Sequence, residues 1–202
     1  MSKYIDKIIY INLNKRTDRR QEIENELNQY GLPYERFEAI STPDFGIYGC
    51  GLSHLKVLEM AKERHYKNIL ILEDDFEFLV SKDELEENLK KFFESNIEYD
   101  VCMLSYNLHE HLNIENGVVN KALFAQTASG YIVHSNYYNK LIELYKWCLP
   151  LLIQTKKHWL YANDIVWKDY QKKDNWYYFK TRIGKQRKSF SDNAKKLCDY
   201  GV

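Results

Sequence analysis

Three carboxylates in a row, Glu73-Asp74-Asp75, follow the apolar run Asn68 to Leu72. Such charges repel one another and lose hydration at the end of a buried strand, unless a divalent cation or strong hydrogen-bond donors offset them. In an extended segment alternate side chains share a face, so Glu73 and Asp75 are expected to point one way and Asp74 the other. Oxygen ligands favour Mg or Mn over Zn, and a cation held by them can bridge a diphosphate and stabilise its departure. A solvated turn after a strand is the plain alternative.

Basic residues sit in two places that suit an anion. Arg16 and Arg19 follow the apolar run Lys7 to Leu13, at a strand end where open α/β sheets bind ligands. Arg182, Lys185, Arg187 and Lys188 form a basic stretch near the C-terminus, either a solvated surface or a loop that closes over phosphates. Ser53 and His54 are expected to open a helix whose N-terminal amides could meet an anion, with a half-buried bracing histidine as the alternative.

The elements that must hold these residues alternate between strands and amphipathic helices, which predicts an α/β layered fold. Strands are expected at Lys7 to Leu13, Tyr34 to Ile40, Asn68 to Leu72, Asp100 to Leu104 and Trp176 to Phe179. Ala122 to Gln126 and Ala128 to His134 are expected to pair with each other. Helices are expected from Thr17, as cap, to Tyr30; from about Leu52 to Tyr66 after a turn-rich stretch; over Lys82 to Glu94; from Asn136 to Trp147; and over Asp164 to Gln171. The segments 107–120 and 182–191 read as loops.

Composition narrows the function. Lys plus Arg and Asp plus Glu number 29 each, so no net field attracts a polyanion, and general nucleic-acid binding loses its main support. The 202 residues suit one domain, 1–202. Seventeen tyrosines could stack on sugar faces, although most are expected in the core. Cys50, Cys102, Cys148 and Cys198 lack the spacing of a zinc or redox pair, and no run reaches the length of a spanning helix. A reduced, cytoplasmic protein is expected, with work at a membrane surface left open.

Four fragments in order resemble glycosyltransferase family 25, the lipooligosaccharide-biosynthesis and procollagen galactosyltransferase group. They are Ile9 to Leu13 with Arg16, Asp18 and Arg19; Gly49-Cys50 with Ser53-His54; Ile71 to Asp75; and Ser129 to Ile132. Together they span roughly residues 5 to 192. The resemblance implies a GT-A-like nucleotide-sugar-binding fold, a mixed central sheet flanked by helices, with a nucleotide-sugar donor and usually Mn (or Mg). It further implies donor contacts from Asn12, Leu13, Arg16, Arg19, Ser53, His54, Glu73, Asp74, Gly130 and Tyr131, with a first-turn helix charge as the alternative for Arg19 and plain packing for Tyr131, and metal ligation by Asp75 and Glu73. Ile47 stands where many relatives carry an acidic residue, which removes a sugar-hydroxyl contact from that position; the chain is also shorter than typical members, so an acceptor-binding C-terminal extension is expected to be absent or the sequence truncated.

An inverting transfer also needs a base for the acceptor hydroxyl. Asp164 is the first candidate, with a helix cap as its structural alternative; Asp192 is the second, and alternatively a metal ligand. The expected partners are a UDP-sugar, with glucose or galactose as the hexose, and an acceptor on a glycan, lipid-linked saccharide or glycoprotein. A metal-dependent phosphoester hydrolase and a catalytically silent nucleotide-sugar-binding module are the competing readings.

Overall fold

The computed structural model describes residues 3–191, 196–199 and 201. Its centre is an eight-stranded mixed sheet built from β1 (Lys7–Asn12), β2 (Tyr34–Glu38), β3 (Asn68–Glu73), β5 (Val101–Met103), β6 (Asn107–Leu112), β7 (Val119–Gln126), β8 (Gly130–His134) and β9 (Trp176–Phe179). The spatial order is β2-β1-β3-β8-β5-β9-β7-β6. Strands β2, β1 and β3 run parallel; β8 is antiparallel to both of its neighbours, β3 and β5, and β7 to both of its own. The mixed sheet between helices that the resemblance implied is therefore the architecture found.

Both faces of the sheet's centre are buried because strands such as β1 and β3 are mostly apolar, whereas the edge strands β2 and β6 are more polar and more exposed. In β1, Ile9 and Ile11 face one core while Ile8 and Tyr10 face the other; Ile69 and Ile71 of β3 oppose Leu70 and Leu72 in the same way. Helices α2 (Gly46–Glu63) and α4 (Tyr138–Thr155) cover the first face. Helices α1 (Thr17–Gln29) and α3 (Lys82–Glu94) cover the second through Ile23, Leu27, Leu85, Leu89 and Phe92. Two short helices, α5 (His158–Tyr161) and α6 (Lys168–Lys173), follow α4. None of the described helices is long and apolar enough to cross a membrane.

Several expected boundaries move, each for an identifiable reason. Helix α2 starts at Gly46, well before Leu52, so Ser53 and His54 lie in its interior and offer no N-terminal amides. The glycines that read as turn residues are packing contacts: a Cβ on Gly49 would stand 2.4 Å from the Ile40 carbonyl, and one on Gly51 2.6 Å from Leu149. Thr17 is the first residue of α1, and no side chain caps that helix. Helix α4 passes through Pro150 and ends at Lys156, whose left-handed φ of 60° terminates it; buried Leu149 and Leu152 hold the extra turns. Asp164 precedes α6, which begins at Lys168.

The pairing of 122–126 with 128–134 is also corrected. Strand β7 pairs with β9 and β6, whereas β8 pairs with β3 and β5. Gln126-Thr127-Ala128-Ser129 lacks the Asn-Gly type of turn that a tight hairpin needs, and Thr127 at φ 85° carries the chain across the sheet instead. Segments expected as loops contain β6, β10 (Gly184–Gln186) and β11 (Ser189–Ser191). Strand β10 pairs with β4 (Phe76–Phe78), the strand that follows the acidic turn, and β11 pairs with β12 (Lys196–Cys198).

Candidate active-site cleft

The carboxyl-terminal ends of β1 and β3, together with the crossing from β7 to β8, open onto a cavity of about 690 Å³. That is the size of a ligand site. Leu13, Arg16, Arg19, Ser53, Glu73, Asp74, Asp75 and Asp164 line it, so residues far apart in sequence converge here. Asn12, His54, Gly130 and Tyr131 do not line it. Asp192 lies outside the described residues.

Strand β3 ends at Glu73, and Asp74 and Asp75 form the turn into β4. The strict alternation expected over the three carboxylates therefore fails. Glu73 turns toward α2, where its Oε1 lies 3.1 Å from His54 Nε2 and accepts from Cys50 Sγ at 3.3 Å. Asp74 and Asp75 instead share one guanidinium nitrogen of Arg19, at 3.0 and 3.1 Å. Asn12 Nδ2 adds a 2.7 Å hydrogen bond to Asp74 from behind the turn, where Asn12 is itself held by Arg36.

The three carboxyls differ in electrostatic balance. Burial raises Glu73, but the His54 hydrogen bond, with Cys50 and Arg19, outweighs it, and its pKa falls below the ordinary value. Asp75 is pushed up to about 7, first by burial and then by the charge of Glu73, against the pull of Arg19. Its Oδ2 receives Arg19 and, at 3.4 Å, Gln186, whereas its Oδ1 is buried with no hydrogen-bond partner. Asp74 is raised too, chiefly by burial.

At the other wall, Asp164 is half-buried in the connection between α5 and α6, and its Oδ2 accepts from the Thr127 N–H at 3.2 Å. Burial raises its pKa. The left-handed Thr127 backbone is what aims that N–H at the carboxylate.

Other expected contacts sit behind the cleft wall. A Cβ on Gly130 would stand 2.5 Å from the Phe76 ring, so the space beside this glycine is filled by protein. Tyr131 is fully buried, with its hydroxyl 2.8 Å from His54 Nδ1. The C-terminal segment does reach the cleft, through Gln186, Arg187 and Ser189, yet the Arg187 guanidinium is committed to Glu22, Glu26 and Glu77. Ser189 Oγ receives Arg19 at 2.6 Å. In the sequence Cys50 stands out only as part of the Gly49-Cys50 fragment. Its i, i+4 spacing to His54 becomes a signal once α2 is known to begin at Gly46, since both then face Glu73. Asn163, also in the cleft wall, carried no signal beyond its place before Asp164.

No known family profile matches the chain. A "Glycosyltransferase 25 family member" of Drosophila pseudoobscura pseudoobscura is 30% identical over 37% of this chain and 16% of its own length. The protein of the same description from Drosophila melanogaster is 28% identical over the same shares. The chain resembles glycosyltransferase family 25. The match takes in about one sixth of each curated family-25 relative, so it concerns one part of those longer proteins. Among solved structures, A197 from STIV is similar in fold, with a TM-score of 0.51 at 12% identity over 95% of this chain and 92% of that one. The family-25 fragments Ile9 to Leu13, Gly49 to His54 and Ile71 to Asp75 meet in space at or directly behind the cleft, and Ser129 to Ile132 runs beside them in β8.

Proposed function

We propose that the protein is a glycosyltransferase that moves a hexose from a nucleotide sugar, UDP-glucose or UDP-galactose, to a hydroxyl of a glycan, lipid-linked saccharide or glycoprotein, with inversion. The observation that carries this reading is the buried Oδ1 of Asp75, which lacks a partner in a cleft that Arg16 and Arg19 also line. A buried carboxylate oxygen with no donor is costly, and a ligand cation removes the cost.

The residues fit a hard divalent cation, Mn or Mg, since the orphaned atom is an oxygen and the charges of Glu73 and Asp74 both act on the same carboxyl. Asp75 and Glu73 would hold it, with Asp192 as a further proposed ligand. When bound, such an ion supplies charge stabilisation for the departing diphosphate.

The chain's own groups supply the rest. Arg16 and Arg19 attract the phosphates, and Leu13 gives the nucleotide an apolar floor at the end of β1. Asn12 holds Asp74, and His54 holds Glu73, so these two act on the donor indirectly. Ser53, whose hydroxyl accepts from the Ile40 N–H and donates to the Gly49 carbonyl, fixes the loop that borders the donor. Gly130 and Tyr131 pack behind this wall. Asp164 takes the proton of the acceptor hydroxyl: the Thr127 N–H restrains one of its oxygens, and burial moves its pKa toward the working range of a base.

The test is release of UDP from UDP-glucose or UDP-galactose by purified protein with Mn, and its loss in Asp75→Asn while the circular-dichroism spectrum is unchanged. Donor binding without release would instead favour the silent module, and phosphate release from simple esters the hydrolase.

A further inference from the structure

The cleft has two chemically different ends. Below β1 and β3 it carries both signs of charge, with Arg16, Arg19, Asp74 and Asp75; beyond them, where β7 crosses to β8 and where β6 begins, its polar residues include Asn107, Gln126, Thr127 and the Asp164 carboxyl, which Thr127 holds. Asn163 belongs to this second end. Its side chain is 5% exposed, and its Nδ2 is buried with no hydrogen-bond partner.

An amide N–H in that state is a donor waiting for an acceptor, because leaving it unpaired in the interior destabilises the fold. Asn163 lines the cleft, so a ligand bound there can supply the acceptor. Amide and hydroxyl neighbours beside the Asp164 carboxyl suit a hydroxyl better than a phosphate, which the arginines at the other end attract.

The order of strands then orders the ligand. A nucleotide sugar is linear: base and ribose, diphosphate, hexose. With its nucleoside at the end of β1 and its diphosphate at the turn after β3, the hexose extends over the crossing toward β8, which is the next strand in the sheet. That is where Asn163 and Asp164 stand.

We infer that Asn163 is a specificity-determining residue, whose Nδ2 donates a hydrogen bond to one ring hydroxyl of the donor's hexose. The inference rests on the glycosyltransferase reading above. Asn163 moves no proton; it selects the sugar by leaving a buried donor unpaired when the hydroxyl is missing or inverted.

The experiment is a ligand-deletion cycle by calorimetry on the full chain with Mn, using UDP, UDP-glucose, UDP-galactose and the monodeoxy analogues of both. In the wild type one deoxy analogue is expected to bind about tenfold more weakly than its parent. In Asn163→Leu that penalty disappears, UDP binds as before, and the melting temperature does not fall, because a buried unpaired amide has been removed. Asn163→Ser gives the same loss of discrimination if the leucine side chain does not fit. A penalty that persists in both variants, the absence of any penalty in the wild type, or a parallel loss of UDP affinity overturns the assignment. Wild-type protein that binds neither UDP nor UDP-hexose overturns the glycosyltransferase reading itself, a result distinct from failure at Asn163.

Discussion

The two sides of the acidic turn carry the same kind of group in opposite states. On the α2 side Glu73 is braced by His54 and Cys50, and its pKa is lowered. On the α1 side Asp75, two residues later, shares Arg19 with Asp74, keeps one oxygen unpartnered and is raised to about 7. Sequence neighbours thus divide into a carboxylate with one oxygen held by two side chains and a carboxylate with one buried oxygen that has no hydrogen-bond partner among the described residues. The difference comes from where strand geometry stops, since the turn after Glu73 swings Asp75 away from the donors of α2.

The largest expected effect breaks the unsatisfied side. Asp75→Asn lowers turnover by roughly a thousandfold and removes the Mn dependence of UDP binding, read by titration calorimetry. A variant that still needs Mn to bind UDP would remove Asp75 from the metal site. Next comes the far wall, where Asp164→Asn reduces kcat about a hundredfold with donor affinity unchanged. An Asp164→Asn enzyme of normal speed would end its role as base.

Breaking the satisfied side should cost stability first. His54→Ala strips Glu73 of its closest donor and opens a buried cavity, so unfolding in urea should show a loss of about 3 kcal/mol. An unaltered midpoint would mean that Glu73 is not held by this contact.

The smallest effect sharpens the contrast through pH. Unfolded Asp75 ionises near the ordinary carboxylate value, while burial and Glu73 hold it near 7 in the fold. The folded protein retains that proton more tightly, so the contribution is fully present at acid pH and is lost as pH rises through 7. Metal-free wild type should therefore lose stability between about pH 4 and pH 7, whereas Asp75→Asn should not, so the variant gains on the wild type across that window. Thermal melts in chelator across this range check it; equal pH slopes in the two proteins would contradict the buried, raised carboxyl.

Much of the scaffold is legible from residue pattern alone. The apolar runs of β1 and β3, the i, i+4 spacing of Ile23 and Leu27, and the Ser81-Glu84 capping box of α3 are local signals, and they place these elements close to where they stand. Patterns that need distant partners mislead. Gly49 and Gly51 look like breakers until Ile40 and Leu149 are seen against them. Gly130 looks like an opening for a ligand until Phe76 fills it.

What the sequence by itself determined is that three carboxylates end a buried strand in an α/β chain, with basic residues at the end of the first strand. That follows from short-range periodicity, whose cause lies within a few residues. Only tertiary structure decided that Glu73 has an oxygen held by α2 while Asp75 has one without a partner, that Arg187 is spent on Glu22, Glu26 and Glu77, and that Asn163 joins the cleft lining with its Nδ2 unpartnered. Whether a polar atom has a partner depends on groups up to a hundred or more residues away, brought near by packing, and no local pattern encodes that proximity.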